Sequence, residues 1–458
     1  MLLQTFTSLM AEGWRPVFAQ QRTQERAVGQ ALSLPLVLGR RTISRSLCAL
    51  DRADRDWSAD YKLFSRSPWK AADLFDPVLE AYLRRYDRGP VTVALDDSLY
   101  PKTGKKIPGA RWHKDPLSPP FRVNLRFGLR FLQASLLFPL HQEGPFAARA
   151  IPMAFDQAPT VKKPGKRATE AERQAYRRLK KEINLSCSAV QQLERLRKRL
   201  DDTGATHRRM WAVLDGSFCN RTLFRASWDR VILLARCRKD ARLCYPAAGP
   251  GKRRYEAQLF TPESVRADSQ VAWKRVRIYY ANRRRWIRVK ERKHVLWRRG
   301  AGTQLLRLIV IAPQPYRNSK KGRTYYRDPA YLLTTDVTAS LKRLVQAYFD
   351  RWQIEVNHRD QKSLLGVGQA QVHSLKSVPR HPALSVASYS LLLVAGLQTY
   401  GPGRSQALTP LPKWRNQPPH RFSTLDLFTQ LRREINETSV SQFPTQKISK
   451  NLMTYAYT

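Results

Sequence analysis

Three acidic side chains in this sequence have the types and contexts needed for phosphoryl-transfer chemistry. Asp96 and Asp215 follow apolar runs in the parallel contexts "ALDDS" and "VLDGS", and Glu355 lies in "YFDRWQIEVNHRDQK", residues 348–362. Attack on a phosphodiester needs an activated oxygen nucleophile and a neutralised phosphate, and two divalent ions roughly 3.5–4 Å apart supply both. Mg²⁺ prefers carboxylate oxygens as ligands. Carboxylates at two strand ends and on a helix therefore predict a metal site.

The residues around Glu355 extend this pattern. At 3.6 residues per turn, an α-helix places Tyr348, Arg351, Glu355 and Lys362 along one side. An arginine suits phosphate binding because its planar fork donates two hydrogen bonds to phosphate oxygens. The stripe can therefore face a metal ion and a phosphate, or it can face water.

Each acid also has a simpler interpretation when it is considered alone. An aspartate at the end of a strand is most often a turn former or the cap of the next helix. Glu355 has Arg351 four residues before it and Arg359 four residues after it, which is the spacing of a helix-surface ion pair. Only the combination of the three acids favours catalysis.

Two details near these acids stay open at this level. Asp96 and Asp97 are adjacent and point to opposite faces if the strand continues through both. The parallel between "LDDS" and "LDGS" favours Asp96 as the first acid, with Asp97 as the fallback. His358 follows Glu355 by three residues, where it is an auxiliary acid or base or, as the favoured alternative, a solvent-facing or phosphate-contacting histidine.

The charge of the chain indicates its class of partner. Among 458 residues, 82 Lys and Arg stand against 36 Asp and Glu, a formal net charge of +46. The basic residues are spread over most of the length, so the folded chain repels itself unless a polyanion is bound. A long nucleic acid is the natural counter-charge.

Cysteine and apolar patterns indicate the compartment. The five cysteines are widely spaced without a Cys-x-x-Cys pair, which argues against a disulfide framework or a zinc module. The N-terminus has no secretion-signal pattern. The longest apolar segment, residues 384–397, is shorter than the roughly twenty residues that span a bilayer. We therefore expect a protein of the cytoplasm with no membrane partner.

The pattern of elements predicts an α/β chain with helical additions. Residues 1–87 have helical patterns, and two short helices about Leu34 and Gly39 are compatible with a helix-turn-helix or with any small helical bundle. Arg41 and Arg45 on the second helix are the candidate DNA contacts. Residues 88–238 then alternate between strands and helices, which favours a layered α/β domain with mixed strands.

Specific elements are expected within that α/β region. Within residues 89–100, the β-branched and apolar run up to Asp96 and Asp97 predicts a buried strand whose end presents these carboxylates. Strand-like runs over residues 121–140 predict a hairpin beside it. A long basic helix covers about 168–202, and a further apolar strand ends at Asp215. These elements form the first part of the predicted catalytic domain.

Residues 239–304 are predicted to be a basic, β-rich insertion. Basic residues alternate with aromatic or branched ones on either side of Ala281–Asn282, which is typical of an antiparallel hairpin. A hairpin of this kind is either a solvated sheet face or, as the aromatic residues favour, a phosphate-contacting surface. The candidate DNA contacts on it are Arg284, Arg285, Trp286 and Arg288.

The C-terminal half completes the predicted organisation. Residues 305–399 hold two strands and the helix that carries Glu355, and they form the second part of the catalytic domain. Residues 400–458 are a Pro-rich linker followed by a last helix near 424–436.

The stretch at residues 348–362 resembles the tyrosine, arginine, glutamate, lysine signature of the DDE insertion-sequence transposases, the bacterial cut-and-paste type. The signature members here are Tyr348, Arg351, Glu355 and Lys362, separated by two, three and six residues. The resemblance covers roughly residues 89–370, because the flanking regions match only in character. It implies a ribonuclease H-like catalytic domain with a basic β-rich insertion, beside a helical N-terminal DNA-binding domain.

The resemblance also implies a function. Asp96, Asp215 and Glu355 would bind two Mg²⁺ ions, with Mn²⁺ as a substitute, while Tyr348, Arg351 and Lys362 would hold phosphates of the transposon end. A dimer would bind inverted terminal repeats of double-stranded DNA, cleave the ends and join the 3′ hydroxyls to target DNA. The alternatives are a structure-selective nuclease of the same fold and a domesticated DNA-binding protein without turnover.

Overall fold

The fold comes from a computed structural model that describes residues 1–115, 118–119, 121–140, 148–249, 254–280, 283–319, 322–414 and 419–437. The helices are α1 (Leu2–Gly13), α2 (Gln21–Ser33), α3 (Ile43–Ala49), α4 (Ser58–Ser65), α5 (Asp76–Arg85), α6 (Glu170–Glu182), α7 (Leu185–Asp202), α8 (Arg221–Phe224), α9 (Pro262–Ala267), α10 (Leu341–Asp350), α11 (Gln353–Ser363), α12 (Ser377–Tyr400) and α13 (Thr424–Glu437). The strands are β1 (Val91–Pro101), β2 (Arg111–Lys114), β3 (Leu125–Pro139), β4 (Ala148–Gln157), β5 (Met210–Leu214), β6 (Val231–Arg236), β7 (Lys274–Tyr280), β8 (Arg283–Val295), β9 (Leu306–Ile311), β10 (Gln314–Arg317), β11 (Thr324–Arg327) and β12 (Ala330–Thr334).

A mixed central sheet organises the chain. Within the described ranges its strand order is β2-β3-β1-β5-β6-β12-β9-β8-β7. Strand β4 also pairs with β3, along the edge opposite β1. The β1, β5 and β6 strands are parallel, and the remaining pairs are antiparallel. The predicted mixed α/β class is therefore confirmed, and the arrangement is consistent with a ribonuclease H-like fold.

Both faces of the sheet are buried at its centre, where β5 lies between two hydrophobic cores. Ala212 and Leu214 of β5 belong to the larger core, which includes the N-terminal helices and α12. Trp211 and Val213 belong to a second core on the other face, with Leu344 of α10. Near-continuous apolar runs such as β5 follow from this two-sided burial.

Several elements differ from their sequence-based prediction. The first strand does not end at its aspartates but continues to Pro101, because β3 pairs with it up to that residue. Residues 125–139 form one long strand rather than the two strands of a hairpin, since β1 and β4 lie on its two sides. The basic helix predicted over about 168–202 is two helices, divided where Asn184 caps α7 by accepting a hydrogen bond from the Cys187 amide at 3.0 Å.

The predicted basic hairpin is present as β7 and β8, with Tyr280 opposite Arg283. Its expected turn at Ala281–Asn282 lies outside the described residues. The pair continues the central sheet through β9. Whether residues 239–304 act as a separate unit stays a prediction, as do the other proposed domain boundaries.

The N-terminal helices pack on the body of the molecule. Residues of α1, α2, α4 and α5 belong to the same hydrophobic core as α12 and the sheet. Helices α2 and α3 flank the predicted turn. Arg45 is exposed on α3, but the predicted place of Arg41 on this helix is wrong, because α3 begins at Ile43 and Arg41 is half-buried before its cap. The Arg41 amide donates a hydrogen bond to Gln369 Oε1 at 2.8 Å, and DNA binding by this pair of helices stays a prediction.

Helix α12 is the apolar centre of the C-terminal half. Among the described residues it is the candidate membrane span by length and composition, but 83% of the apolar window is buried inside the protein. Such burial is typical of a core helix and is consistent with a soluble protein. The last helix, predicted near 424–436, is confirmed as α13.

Candidate active site

Asp96 and Asp215 lie side by side because of the register of two parallel strands. Leu95 of β1 pairs with Leu214 of β5, and each leucine is followed directly by one of the aspartates. Asp215 ends the apolar strand and begins a 3₁₀ turn. Asp96 continues in the strand but lies just beyond the last residue that pairs with β5.

Glu355 comes to the same place on α11. Ile354, its neighbour on this helix, packs with Ala94 of β1 and Ala150 of β4. Side chains two residues apart on a strand share a face, so Asp96 lies on the same face of the sheet as Ala94 and below α11. The helix thus brings Glu355 over Asp96 of β1 and the end of β5.

The buried face of α11 is fixed by a polar network. Asn357 accepts a hydrogen bond from Ser135 Oγ at 3.1 Å and donates to the Ala150 carbonyl at 3.0 Å and the Tyr389 hydroxyl at 3.2 Å. Gln361 accepts from the Tyr100 hydroxyl at 2.7 Å. These bonds tie the helix of Glu355 to β1, β3, β4 and α12.

We expect Asn357→Leu to lower the free energy of unfolding by about 3 kcal/mol, because it leaves several buried donors and acceptors without partners. Urea unfolding followed by circular dichroism measures the change. Asn436→Leu, the same substitution at an exposed position of α13, is the control and should change stability by less than about 0.5 kcal/mol. Equal effects at the two positions would contradict the role given to the network.

The three carboxylates converge on Arg351. Its Nη1 lies 3.9 Å from Asp96 Oδ2, and its Nη2 lies 3.8 Å from Asp215 Oδ1 and 3.3 Å from Glu355 Oε1. Its side chain is only 10% exposed, so the pair with Glu355 is not the helix-surface ion pair of the simpler interpretation. Arg359, the other predicted surface partner, instead pairs with Asp360.

The predicted continuous helix through the signature is wrong, because it is divided at Arg351–Trp352. The Trp352 amide bonds to the Phe349 carbonyl and the Glu355 amide to the Trp352 carbonyl, which are the shorter steps of a 3₁₀ turn. Helix α10 ends before this turn and α11 begins after it. Arg351 therefore lies between two helices rather than within one.

The two adjacent aspartates of β1 have different partners. The Asp96 carboxylate approaches Arg351, whereas Asp97 Oδ2 lies 3.1 Å from Arg130 Nε. The Asp97 amide also donates a hydrogen bond to Asp96 Oδ1 at 2.8 Å. Asp96 is therefore the one of the two that meets Asp215 and Glu355 at the arginine.

Burial shifts the titration of the site. It raises the pKa of Asp96 to about 7, against the opposing effect of Arg351 and together with repulsion from Asp97 and Asp215. Burial also raises the pKa of Glu355 above its ordinary value. Packed carboxylates with raised pKa values are typical of functional sites, because a bound cation lowers the cost of keeping them charged.

His358 is part of the same cluster. The solvent-facing part of the favoured expectation is wrong, because His358 is a buried residue of α11 and is 8% exposed, whereas a phosphate contact stays a prediction. Its Nε2 lies 4.0 Å from Asp96 Oδ2 and its Nδ1 lies 3.4 Å from Gln361 Oε1. Burial lowers the pKa of His358 to about 4, so its ring is neutral at physiological pH.

Tyr348 and Lys362 are both influenced by charges of the acids. Charges on Arg351, Asp215 and Glu355 influence the pKa of Tyr348, which burial raises. Lys362, at the end of α11, is influenced by Asp96 and Asp97, while burial lowers its pKa. The three signature members besides Glu355, namely Tyr348, Arg351 and Lys362, are therefore all within electrostatic range of the acids, although α10 and α11 are separate helices.

A cavity of about 1140 Å³ adjoins Arg351. Aromatic and basic side chains line most of it, among them Tyr280, Tyr326, Tyr348, Trp352, Arg351 and Arg421. The two-stranded β10–β11 ribbon forms part of the wall and was missed by the sequence analysis. The alternation of tyrosine and arginine about Gly322 in "YRNSKKGRTYYR" is the signal that could have found it.

The predicted basic contacts are on β8, away from the three acids. Alternation along the strand exposes Arg284, Trp286 and Arg288 on one face, while Ile287 points into the core. Arg285 points to the other face, 5.6 Å from the Tyr280 ring. The hairpin thus combines exposed arginines with an exposed tryptophan, as predicted.

The donor set fits a hard divalent cation by type. Asp96, Asp215 and Glu355 offer only carboxylate oxygens, which suit Mg²⁺ and Mn²⁺. In the described part of the chain, no three His, Cys, Asp or Glu side chains stand close enough together to hold an ion. The Arg351 guanidinium lies among these three carboxylates.

Comparison with known proteins identifies the family. A family model described as DDE superfamily endonuclease matches residues 16–304, more than half of the chain. The match includes Asp96 and Asp215 and ends before Glu355, whose position beside them is known from the fold. No curated protein matches the chain. The resemblance noted in the sequence is thereby confirmed, and the chain belongs to the DDE superfamily endonuclease family.

Proposed function

We propose that this protein is a DNA transposase that binds inverted terminal repeats, cleaves the transposon ends and joins the freed 3′ hydroxyls to target DNA. The observation that carries the proposal is the convergence of Asp96, Asp215 and Glu355, from two strands and one helix, within 4.0 Å of a single guanidinium. Membership of the DDE family supports an endonuclease or transposase activity on DNA.

Asp96, Asp215 and Glu355 are the proposed metal ligands, and members of this family generally use divalent metals. Two Mg²⁺ ions, when bound, would activate the attacking oxygen and neutralise charge on the phosphate, and Mn²⁺ would substitute for them. Tyr348, Arg351 and Lys362 would hold the DNA backbone beside these ligands. His358, with a neutral ring, would help to position the Asp96 carboxylate rather than act as a general acid or base.

The chemistry consists of two phosphoryl transfers. In cleavage, water attacks a phosphodiester, the bond to the 3′ oxygen breaks, and the products are a 3′ hydroxyl and a 5′ phosphate. In strand transfer, that 3′ hydroxyl attacks a target phosphodiester and a target 3′ hydroxyl leaves. One site serves both steps because only the attacking oxygen differs.

The proposed partners follow from charge and placement. Double-stranded DNA would contact Arg284, Arg285, Trp286 and Arg288 on the hairpin and Arg41 and Arg45 beside the N-terminal helices. A homodimer would bridge two transposon ends. We propose a cytoplasmic, nucleoid-associated protein, because the bacterial chromosome carries both the ends and the target.

Two alternatives remain distinguishable by experiment. A structure-selective nuclease would share the fold and acids but would produce no joined products. A domesticated DNA-binding protein would bind without turnover, and the three convergent carboxylates argue against it. Incubating purified protein and Mg²⁺ with the DNA that flanks the gene, then sequencing gel-purified products, separates these outcomes. Short inverted repeats bounding the gene would favour the transposase before any assay.

DNA binding should weaken steeply with salt. The chain has a net charge of +46, and the Lys and Arg side chains that neutralise phosphates release the counterions condensed on the DNA. We expect the affinity for a labelled duplex to fall by about 10³-fold or more between roughly 50 and 200 mM salt. Fluorescence anisotropy measures this dependence, and a slope near zero would contradict the electrostatic basis of binding.

The same titration tests the hairpin. Arg288→Ala should reduce the log–log salt slope by about one, the share of a single phosphate contact. Arg84→Ala removes an equal charge from an exposed position on α5 and is the matched control. Equal slopes for the two variants would remove Arg288 from the interface.

A further inference from the structure

Arg351 differs from the arginines that support the fold. Within the described residues, its buried Nε and Nη1 have no hydrogen-bond partner, and its Nη2 donates to Glu355 Oε1 at a long 3.3 Å. Arg208, which is also buried, donates to the carbonyls of Gly89, Tyr86 and Arg88 at 2.9, 2.6 and 3.2 Å. Arg351 is held chiefly by the charge of the acids, whereas Arg208 is held by directed bonds.

The position of Arg351 conflicts with a bound metal ion. Its nitrogens lie 3.3–3.9 Å from all three carboxylates, so the guanidinium takes up the space between them. A Mg²⁺ ion must approach its carboxylate oxygens to about 2.1 Å. It would also be repelled by the positive charge of the arginine in a poorly solvated site. The three carboxylates cannot hold both cations at once in this arrangement.

A place for the displaced side chain lies next to the site. Arg351 borders the cavity of about 1140 Å³, and Tyr348, Trp352 and Arg421 border it too. Arg351 lies in the turn between α10 and α11 rather than inside a helix. A change of its side-chain rotamer would therefore not require either helix to unwind.

We propose that Arg351 is an exchangeable counter-ion, which neutralises Asp96, Asp215 and Glu355 in the metal-free protein and withdraws into the adjoining cavity when a divalent cation binds. This exchange rests on the metal-binding role proposed above. In the cavity the guanidinium is free to donate its paired hydrogen bonds to a DNA phosphate. The residue thereby links metal loading to phosphate binding.

Competition between the two cations has a measurable consequence in the absence of DNA. A metal that must displace Arg351 binds more weakly than its carboxylates allow, so removal of the guanidinium should tighten binding. We expect Arg351→Met to lower the dissociation constant of Mn²⁺ at least tenfold, measured on the full chain by electron paramagnetic resonance. Methionine fills a similar length without charge.

Arg359→Met is the matched control. Arg359 lies four residues after Glu355 on the same helix, is exposed and pairs with Asp360 rather than with the three acids. The control should bind Mn²⁺ as the wild type does. Equal tightening by both variants would trace the effect to net charge and would overturn the exchange.

Two further measurements keep the test decisive. In EDTA, Arg351→Met should unfold at a lower temperature than the wild type, because the three carboxylates lose their counter-ion. Added Mn²⁺ should raise the unfolding temperature of the variant by more than it raises that of the wild type. Arg351→Gln, which retains a hydrogen-bond donor, should reproduce the tighter binding if the methionine variant does not fold. Unchanged or weaker Mn²⁺ binding by the folded variant would overturn the exchange.

Asp215→Asn separates this exchange from the proposed function. If Asp215→Asn removes the Mn²⁺ binding of the wild type but Arg351→Met does not tighten it, only the exchange is overturned. Mn²⁺ binding that Asp215→Asn leaves unchanged in both backgrounds would overturn the metal site and the exchange together. Tightening that requires Asp215 supports both.

Discussion

Asp215→Asn should lower Mg²⁺-dependent cleavage of transposon-end DNA by about 10³-fold or more while leaving DNA binding nearly unchanged. The substitution keeps the size of the side chain but removes a charged oxygen from the proposed metal site, and metal stabilisation of the transition state amounts to several kcal/mol. Asp215 ends β5 beside Asp96 and contacts no residue of the basic hairpin in the described structure. Binding should therefore persist.

Cleavage of a labelled duplex and its binding by anisotropy measure the two properties on one preparation. Asp240→Asn is the matched control, because Asp240 follows β6 in an exposed position and pairs only with Arg238 among the described residues. The control should cleave as the wild type does. Normal cleavage by Asp215→Asn in Mg²⁺ would remove Asp215 from the site.

Glu355→Gln and Arg351→Ala should fail in different ways although the residues lie one turn apart. Glutamine has a similar shape and helix propensity but lacks the charged oxygen that divalent ions require, so cleavage should fall by about 10³-fold or more at every salt concentration. Arg351→Ala keeps the metal ligands and removes a paired hold on phosphate. Misplacement of the phosphate should cost about 10²-fold, and residual activity should survive.

Pre-nicked ends sharpen the comparison, because Arg351→Ala should recover activity on them if the arginine acts in the first nick and should stay slow on them if it acts in a later step. Arg359→Ala, on the exposed side of α11, is the control and should remain active. A surface ion pair between Arg351 and Glu355 would predict at most about 0.5 kcal/mol of stability from either change and normal chemistry. Thermal unfolding measured beside cleavage therefore decides between the interpretations, and wild-type cleavage by Glu355→Gln would exclude Glu355 from the site.

The sequence alone determined the features that depend on local patterns. The apolar content around Leu95 and Leu214 predicted two buried strands, as found, although only the second ends at its aspartate and β1 continues past Asp96 and Asp97. The basic–aromatic alternation predicted the β7–β8 hairpin, since exposed and buried side chains alternate along a strand. The spacing of Tyr348, Arg351, Glu355 and Lys362 indicated a family that comparison confirms at the level of DDE endonucleases. Each of these signals lies within a few turns or one strand of the chain.

Which groups meet depends on packing between elements that are far apart in the chain. The distance along the chain from Asp96 to Glu355 carries no information about contact; the parallel register of β1 and β5 and the packing of Ile354 on Ala94 bring the acids together. The same packing distinguishes Asp96 from Asp97, because α11 covers only one face of the strand. The position of Arg351 among the carboxylates likewise depends on the turn between α10 and α11, which helical periodicity did not predict. Local periodicity specifies the side of an element that a residue occupies, and packing between elements specifies what lies opposite it.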